Sequence, residues 1–311
     1  MRRYPKGQSV RFGFRQTPQT FFVEEIPAFD FRDKGEHLVL KVEKTGLSTW
    51  EMVDILSRHI DDRVGYAGLK DKNATTIQYI SLPKRYYKSM KKFRHPRIKI
   101  LDTFLHNRPL KIGDLSANRF IITLQNPSSN LANMAKEIAQ KGVPNYFGYQ
   151  RFGKKSLEQA RALIEGEYFT KDRRLANFLL KSYQSHLFNL WLAHRVGLDD
   201  AKFKRLSGDI YLGPKGYFAS RKILEDQIPT GLLPGSRVPL ARGDAREIEA
   251  LYDERIPLKG DRRAALFFPR DLKIEEAKDR ANLEFILPKG SYATIFLENL
   301  AQKELDFKGT E

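Results

Sequence analysis

The chain of 311 residues has no cysteine. That absence removes disulfides, thiolate nucleophiles, cysteine zinc sites and iron–sulfur clusters together. Long apolar runs are missing as well. No stretch approaches the roughly 18 apolar residues that a membrane helix needs, so no segment is expected to span a bilayer. The opening MRRYPKGQSV lacks an apolar core of the secretory kind, and a cytoplasmic chain is the expectation. The histidines (His37, His59, His95, His106, His186 and His194) form no i,i+4 pair, so no metal site is expected. A P-loop, a GxGxxG turn and a GxSxG elbow are all absent, which leaves a nucleotide cofactor or a serine nucleophile without support. The expected cofactor inventory is empty.

Acidic residues are the scarce charge. Asp+Glu number 38 against 55 Lys+Arg, a net charge of +17. The excess is concentrated. Residues 1–23 carry Arg2, Arg3, Lys6, Arg11 and Arg15 with no acid, and residues 72–101 carry nine basic residues with no acid. Outside those two segments the chain is close to balanced. A segregated positive field attracts and steers polyanions. Tyr79, Tyr86, Tyr87 and Phe93 interleave the second segment, and aromatics among cations suit base stacking beside phosphate contacts. A solvated basic face with half-buried rings would give the same composition. A membrane surface fits less well, since the basic stretches lack a long amphipathic helix.

With 41% hydrophobic residues the chain can fill a core. Strand signals fall at 21–26, 38–43, 77–82 and 120–124, each with alternating or continuous apolar residues stopped by proline or polar residues. Ser48 or Thr49 can cap a helix with Trp50, Val53, Leu56 and Ile60 on one side. A second helix runs from Asn126-Pro127-Ser128 through Gln140 and stops at Gly142. A long one covers about 175–195, with Leu179, Tyr183, Leu187, Leu190 and His194 at helical spacing. Between 197 and 262 Gly and Pro cluster in Gly213-Pro214, Pro229-Thr230-Gly231 and Pro234-Gly235. After that, Phe285 to Pro288 and Ser291 to Leu300 read as a final strand and helix. The pattern is α+β (mixed α/β), with 197–262 as an insertion into one domain formed by 1–196 and 263–311.

Two stretches carry unusual chemistry. In Gly65 to Thr76 (GYAGLKDKNATT) a short strand meets two glycines and then Asp71 between Lys70 and Lys72. Adjacent cations favour an ionised carboxylate, and sites are usually built on such junctions. On spacing alone a turn or capping aspartate, the commoner fate of any aspartate, is favoured over a nucleophile or base beside phosphate-binding lysines. In Val143 to Gly153 (VPNYFGYQRFG) aromatics occupy adjacent positions beside Asn145 and Arg151. An amide beside rings and an arginine can read a base edge and a phosphate, while a strand pair feeding the core through a glycine bulge is an equal alternative. If the stretch is a strand, Tyr146 and Phe147 point to opposite faces and only one can meet a base.

At these stretches the chain resembles the TruD family of tRNA pseudouridine synthases. Ala67 to Gln78 matches AGxKDxxAxTxQ, and Pro144 to Gly153 matches PNYFGxQRFG. Arg15, Pro18, Phe21, Val23 and Glu25 meet RxxPxDFxVxE, with Thr20 standing where the family usually has aspartate. Gly290 to Thr294 meets GSYAT. The resemblance spans essentially the whole chain in four ordered stretches. It implies a pseudouridine synthase core, with a mixed antiparallel sheet and flanking helices, plus a smaller inserted domain special to the family.

The implied reaction converts a uridine in the tRNA D arm, position 13, to pseudouridine without metal or cofactor. Asp71 would be the catalytic carboxylate. Phe147 would stack on the target base, and with phenylalanine where sister families place tyrosine there is no phenolic hydroxyl for proton transfer. Asn145 would hydrogen-bond the target nucleotide, Phe21 and Tyr292 would wall the pocket, and Arg15 and Lys70 would hold phosphate or orient Asp71. The expected partner is tRNA, with no membrane, and the expected state is a monomer. Two rivals stand beside this reading. A catalytically inert RNA-binding or RNA-folding protein on the same scaffold would share the charge and aromatics but gains nothing from Lys70-Asp71. A methyltransferase would need a glycine-rich cofactor loop, which is absent.

Overall fold

The computed structural model describes residues 9–31, 34–153, 155–213 and 215–305. Arg2, Arg3 and Lys6 of the first basic segment, and Pro214, lie outside the described residues. In chain order the first elements are β1 (Phe21–Pro27), β2 (His37–Thr45), α1 (Thr49–Ile60), β3 (Gly65–Tyr66) and β4 (Thr75–Pro83). Next come α2 (Tyr87–Lys92), β5 (Ile98–His106), β6 (Leu115–Gln125), α3 (Leu131–Lys141), β7 (Val143–Pro144), α4 (Ser156–Glu165) and α5 (Arg173–Val196). The rest are β8 (Ile210–Gly213), β9 (Gly216–Ala219), β10 (Pro229–Leu233), α6 (Gly243–Ala250), β11 (Asp261–Ala264) and β12 (Leu266–Phe267). β13 (Arg270–Glu276), β14 (Arg280–Pro288) and α7 (Ala293–Ala301) close the chain.

The chain divides into two compact units. One comprises Val10–Ala132 and Pro269–Gly290, and the other Asn133–Phe268 and Ser291–Leu305. The first is built on a mixed sheet of order β13-β14-β6-β1-β4-β2-β5, with β3 also paired to β4. Its only parallel pairing among the described strands is β1 with β4, where Phe22 stands beside Thr75. Alternation explains the face that β2 buries. Leu38, Leu40 and Val42 pack with Met52, Leu56 and Ile60 of α1 in one core cluster. α1 begins as its sequence dictates: the Ser48 side chain accepts from Glu51 N at 3.1 Å and Glu51 Oε2 accepts from Ser48 N at 2.7 Å. This capping box satisfies two otherwise orphaned donors. The buried face of α1 differs from the expected one, however. Thr49, Met52, Leu56 and Ile60 are inside, whereas Trp50 is 59% exposed. A four-residue register of apolar side chains was available on either of two adjacent stripes, and packing against β2 selected the one that carries Met52.

The second unit is more helical. α4 packs on the long α5 through Ala160, Leu179, Leu180, Tyr183 and Leu187. α5 is capped by Asp172, whose side chain accepts from Arg174 N and Leu175 N, and it extends beyond the 175–195 expected of it. A four-stranded sheet, β11-β10-β8-β9, covers residues 210–264. Its β10 comes so close to α5 that a Cβ on Gly231 would stand 2.2 Å from a ring atom of Trp191. Glycine is therefore required there by close approach rather than by backbone angle. Residues 197–262 fall wholly inside this unit. No helix among the described residues is long and apolar enough to cross a membrane.

Candidate active site

Asp71 lies in the unit built on the mixed sheet, in the irregular segment between β3 and β4. The segment is fastened from below. Thr49 Oγ1 accepts from Lys70 N at 2.8 Å and donates to Gln78 Oε1 at 3.1 Å. Lys44 Nζ donates to the main-chain oxygen of Asp71 at 2.9 Å and also to Leu47 O. Ala74 O accepts from Gly46 N at 3.3 Å. The Asp71 carboxylate itself is half-buried, and Gln16 Nε2 approaches its Oδ2 at 3.4 Å. Main-chain anchoring on one side and an open carboxylate on the other suit a group that must meet a substrate.

Lys70 points away from that role. Its ammonium donates to Glu25 Oε2 at 2.6 Å, with side chains 6% and 1% exposed. Burial pushes the Glu25 carboxyl up from its ordinary value, and the charge and hydrogen bond of Lys70 oppose that shift. The pair fills the space beneath Gly68, where a Cβ would stand 3.1 Å from Lys70 Nζ and 3.5 Å from Glu25 Oε2. Arg15 is exposed, and its main-chain oxygen accepts from Thr20 Oγ1. Thr20 also accepts from Thr17 N at 3.0 Å. The threonine that replaces the family's usual aspartate thus ties the 15–20 turn next to Gln16. Phe21 is buried between Phe14 and Phe120, with ring centroids 6.1 and 5.9 Å away.

The other residues gather in the second unit. The strand expected over the 143–153 stretch ends at Pro144. Residues 145–148 are irregular, and a short 3-10 turn follows at Tyr149–Arg151. Pairing of Val143 and Pro144 with Phe267 and Leu266 leaves no partner strand to continue the ladder, so the two-face alternation of Tyr146 and Phe147 does not hold. Tyr146 is fully buried and Phe147 is 9% exposed. Asn189 on α5 clamps Phe147 reciprocally: its Oδ1 accepts from Phe147 N at 2.8 Å and its Nδ2 donates to Phe147 O at 3.0 Å. Tyr292 stands at the N-cap of α7, its ring 6.5 Å from that of Phe147. Asn145 donates from Nδ2 to Ala264 O at 3.0 Å, and its Oδ1 accepts from Arg263 Nη2 at 2.6 Å.

Three contributors escaped sequence reasoning. Arg263, on β11, lies with its guanidinium carbon 4.0 Å from the Phe147 ring centroid. Desolvation pushes it down to about 10, with Tyr292 raising and Arg151 lowering it further, so it stays charged at neutral pH. Nothing local marks it, because its partners are 118 and 116 residues away in sequence. Gln16 was hidden inside the free positions of the N-terminal pattern. Lys44 carried a usable signal. It shares strand parity with Leu38, Leu40 and Val42, and therefore belongs to the buried row.

Comparison with known proteins places this arrangement among RNA-modifying enzymes. A family model described as tRNA pseudouridine synthase D (TruD) matches residues 6–171 and 169–300. A tRNA pseudouridine synthase D of Wolinella succinogenes is 39% identical, covering 95% of this chain and 96% of the relative. One from Nitratiruptor sp. is 37% identical, with 95% and 96% covered. A crystal structure described as TruD from Methanosarcina mazei shares the fold at a TM-score of 0.69 with 22% identity, over 96% of this chain and 95% of that one. The chain belongs to the tRNA pseudouridine synthase D (TruD) family.

Proposed function

We propose that this protein isomerises a uridine of the tRNA D arm, position 13, to pseudouridine, using Asp71 as the catalytic carboxylate. Family membership makes it a tRNA pseudouridine synthase, an isomerase. The observation that carries the assignment of Asp71 is its mounting: the main chain is anchored by Lys44, while among the described residues the carboxylate's hydrogen-bond partner is Gln16, at 3.4 Å.

The reaction breaks the N1–C1′ bond, turns the uracil and forms a C5–C1′ bond. The proton on C5 leaves and N1 regains one, so atoms balance without redox change or net hydrolysis. A carboxylate serves either by attack at C1′ or by removing a ribose proton on a glycal-like path. The target base must leave its stack, at a cost of a few kcal/mol. Phe147 with Tyr292 offers an aromatic platform for it, and stacking returns about 1–3 kcal/mol. Asn145 and Arg263 supply polar contacts beside that platform. Since Lys70 is already paired with Glu25, its role is to hold the Asp71 segment, and phosphate contacts fall to exposed cations such as Arg15. Phe21, deep between two rings, supports the pocket wall.

The insertion reading of 197–262 is supported by the four-stranded sheet that nearly coincides with it. We propose a monomer acting in the cytoplasm. The deciding experiment incubates unmodified tRNA with the protein alone and maps pseudouridine by carbodiimide modification. Pseudouridine at position 13 is expected. Binding without any pseudouridine would leave the inert RNA-binding scaffold as the reading.

A further inference from the structure

We propose that Lys44 is a positioning residue for the Asp71 carboxylate: its charged ammonium clamps the Asp71 main chain to the turn after β2, and loss of its proton releases the clamp. This rests on the reading of Asp71 as the catalytic carboxylate.

The argument begins with an oddity of burial. Lys44 continues the core-facing row of β2 and is 0% exposed, yet no carboxylate among the described residues lies within ion-pair distance of it. A buried ammonium without a carboxylate is a costly arrangement, and an apolar residue of similar size is ordinarily the more stable choice. What the ammonium does have is two main-chain acceptors, Leu47 O and Asp71 O. It thereby joins the turn that launches α1 to the segment that presents Asp71, 27 residues later in the chain. Bonds from a charged donor are roughly twice as strong as neutral ones, so the clamp is tight only while Lys44 is protonated.

The charged groups facing it come from three directions. The 70–71 segment contributes Asp71 and Lys70, and α1 contributes Glu51, itself paired with Lys72 at 2.8 Å. β5 follows directly on Arg97, whose Nη1 reaches Gly46 O at 3.4 Å. Burial drives the Lys44 ammonium down to about 8; Asp71 and Glu51 oppose the shift and Lys70 adds to it. A proton held this loosely, on a clamp this close to the reacting group, makes the geometry of Asp71 sensitive to pH just above neutrality.

The test is the single-turnover rate on unmodified tRNA at saturating enzyme, measured across pH for wild type, Lys44→Met and Lys44→Arg. The wild-type rate should fall as pH rises through about 8. Lys44→Met should be slower at neutral pH by about ten- to a hundred-fold, the scale of a misplaced reacting group. It should also lose the alkaline fall and keep its tRNA affinity. Lys44→Arg, which does not titrate in this range, should move the fall to higher pH. If Lys44→Met matches wild type at neutral pH, or retains the same alkaline fall, the proposal is overturned. Should neither variant fold, a wild-type rate that stays flat through this range overturns it as well. A wild type that forms no pseudouridine at any pH overturns the reading of Asp71, and the proposal with it.

Discussion

The guanidinium of Arg263 lies 4.0 Å from the centroid of the Phe147 ring, a cation packed against one face of that aromatic side chain. The same arginine bonds the side chain and main chain of Asn145, at 2.6 and 2.9 Å. One residue therefore sets the position of both proposed base contacts.

From that relationship, Phe147→Ala should slow single-turnover pseudouridine formation by about ten- to a hundred-fold, since base–aromatic stacking contributes about 1–3 kcal/mol. Phe147→Tyr should be mild if stacking is its whole role, and Tyr146→Phe close to silent unless its buried hydroxyl carries a hydrogen bond. Arg263→Lys should lower the rate as well, because an ammonium cannot reproduce the flat fork that stacks and bonds at once. Circular dichroism checks that the variants fold. An active Phe147→Ala beside a crippled Tyr146→Phe would exchange the roles of the two rings.

Asp71→Asn keeps the shape of the side chain and removes its charge. Pseudouridine formation should disappear while tRNA affinity, read by filter binding, stays within a few-fold. Measurable turnover by this variant at saturating enzyme would remove Asp71 from the chemistry.

The second basic segment presents Lys91 and Lys92 as exposed residues of α2, beside a groove of about 570 Å³ lined by Tyr87, Lys91, Arg94 and Lys99 among others. If this surface follows the RNA backbone, log affinity for tRNA should fall with log salt by about 0.7–0.9 for each phosphate neutralised. Replacing Lys91 and Lys92 with Glu should flatten that slope and weaken binding. An unchanged slope would mean that α2 faces away from the RNA.

Lys44 also predicts how stability changes with pH. Its proton affinity in the folded chain is lowered to about 8 from an ordinary 10.5. Between those values the unfolded chain binds more protons than the folded one, so this group makes stability rise with pH there. Below about 8 the full penalty of the buried charge is present. The urea midpoint of wild type relative to Lys44→Met should therefore climb from pH 8 towards 10. A difference independent of pH would show that Lys44 titrates normally. The opposite trends expected for stability and for activity distinguish a functional buried charge from a merely tolerated one.

Much of this protein was determined by local sequence alone. Alternation placed β1, β2 and β6, Ser48 and Glu51 built the start of α1, and Gly142, at a φ of 84°, ended α3. These signals are legible because they arise from neighbours within about a turn or a strand pair. Around Asp71 and around Phe147 local spacing did not decide, and it was the match to family patterns that singled out the two stretches, each in its own unit. Tertiary structure decided the rest. It chose which stripe of α1 to bury, ended the 143–153 strand at Pro144, and turned Lys70 onto Glu25, 45 residues distant. It brought Arg263 over Phe147 and sealed Lys44 beneath Asp71. A lysine or arginine reads as a solvated charge wherever it stands in a sequence. Only the packing of distant segments around it removes water and gives its charge a fixed partner.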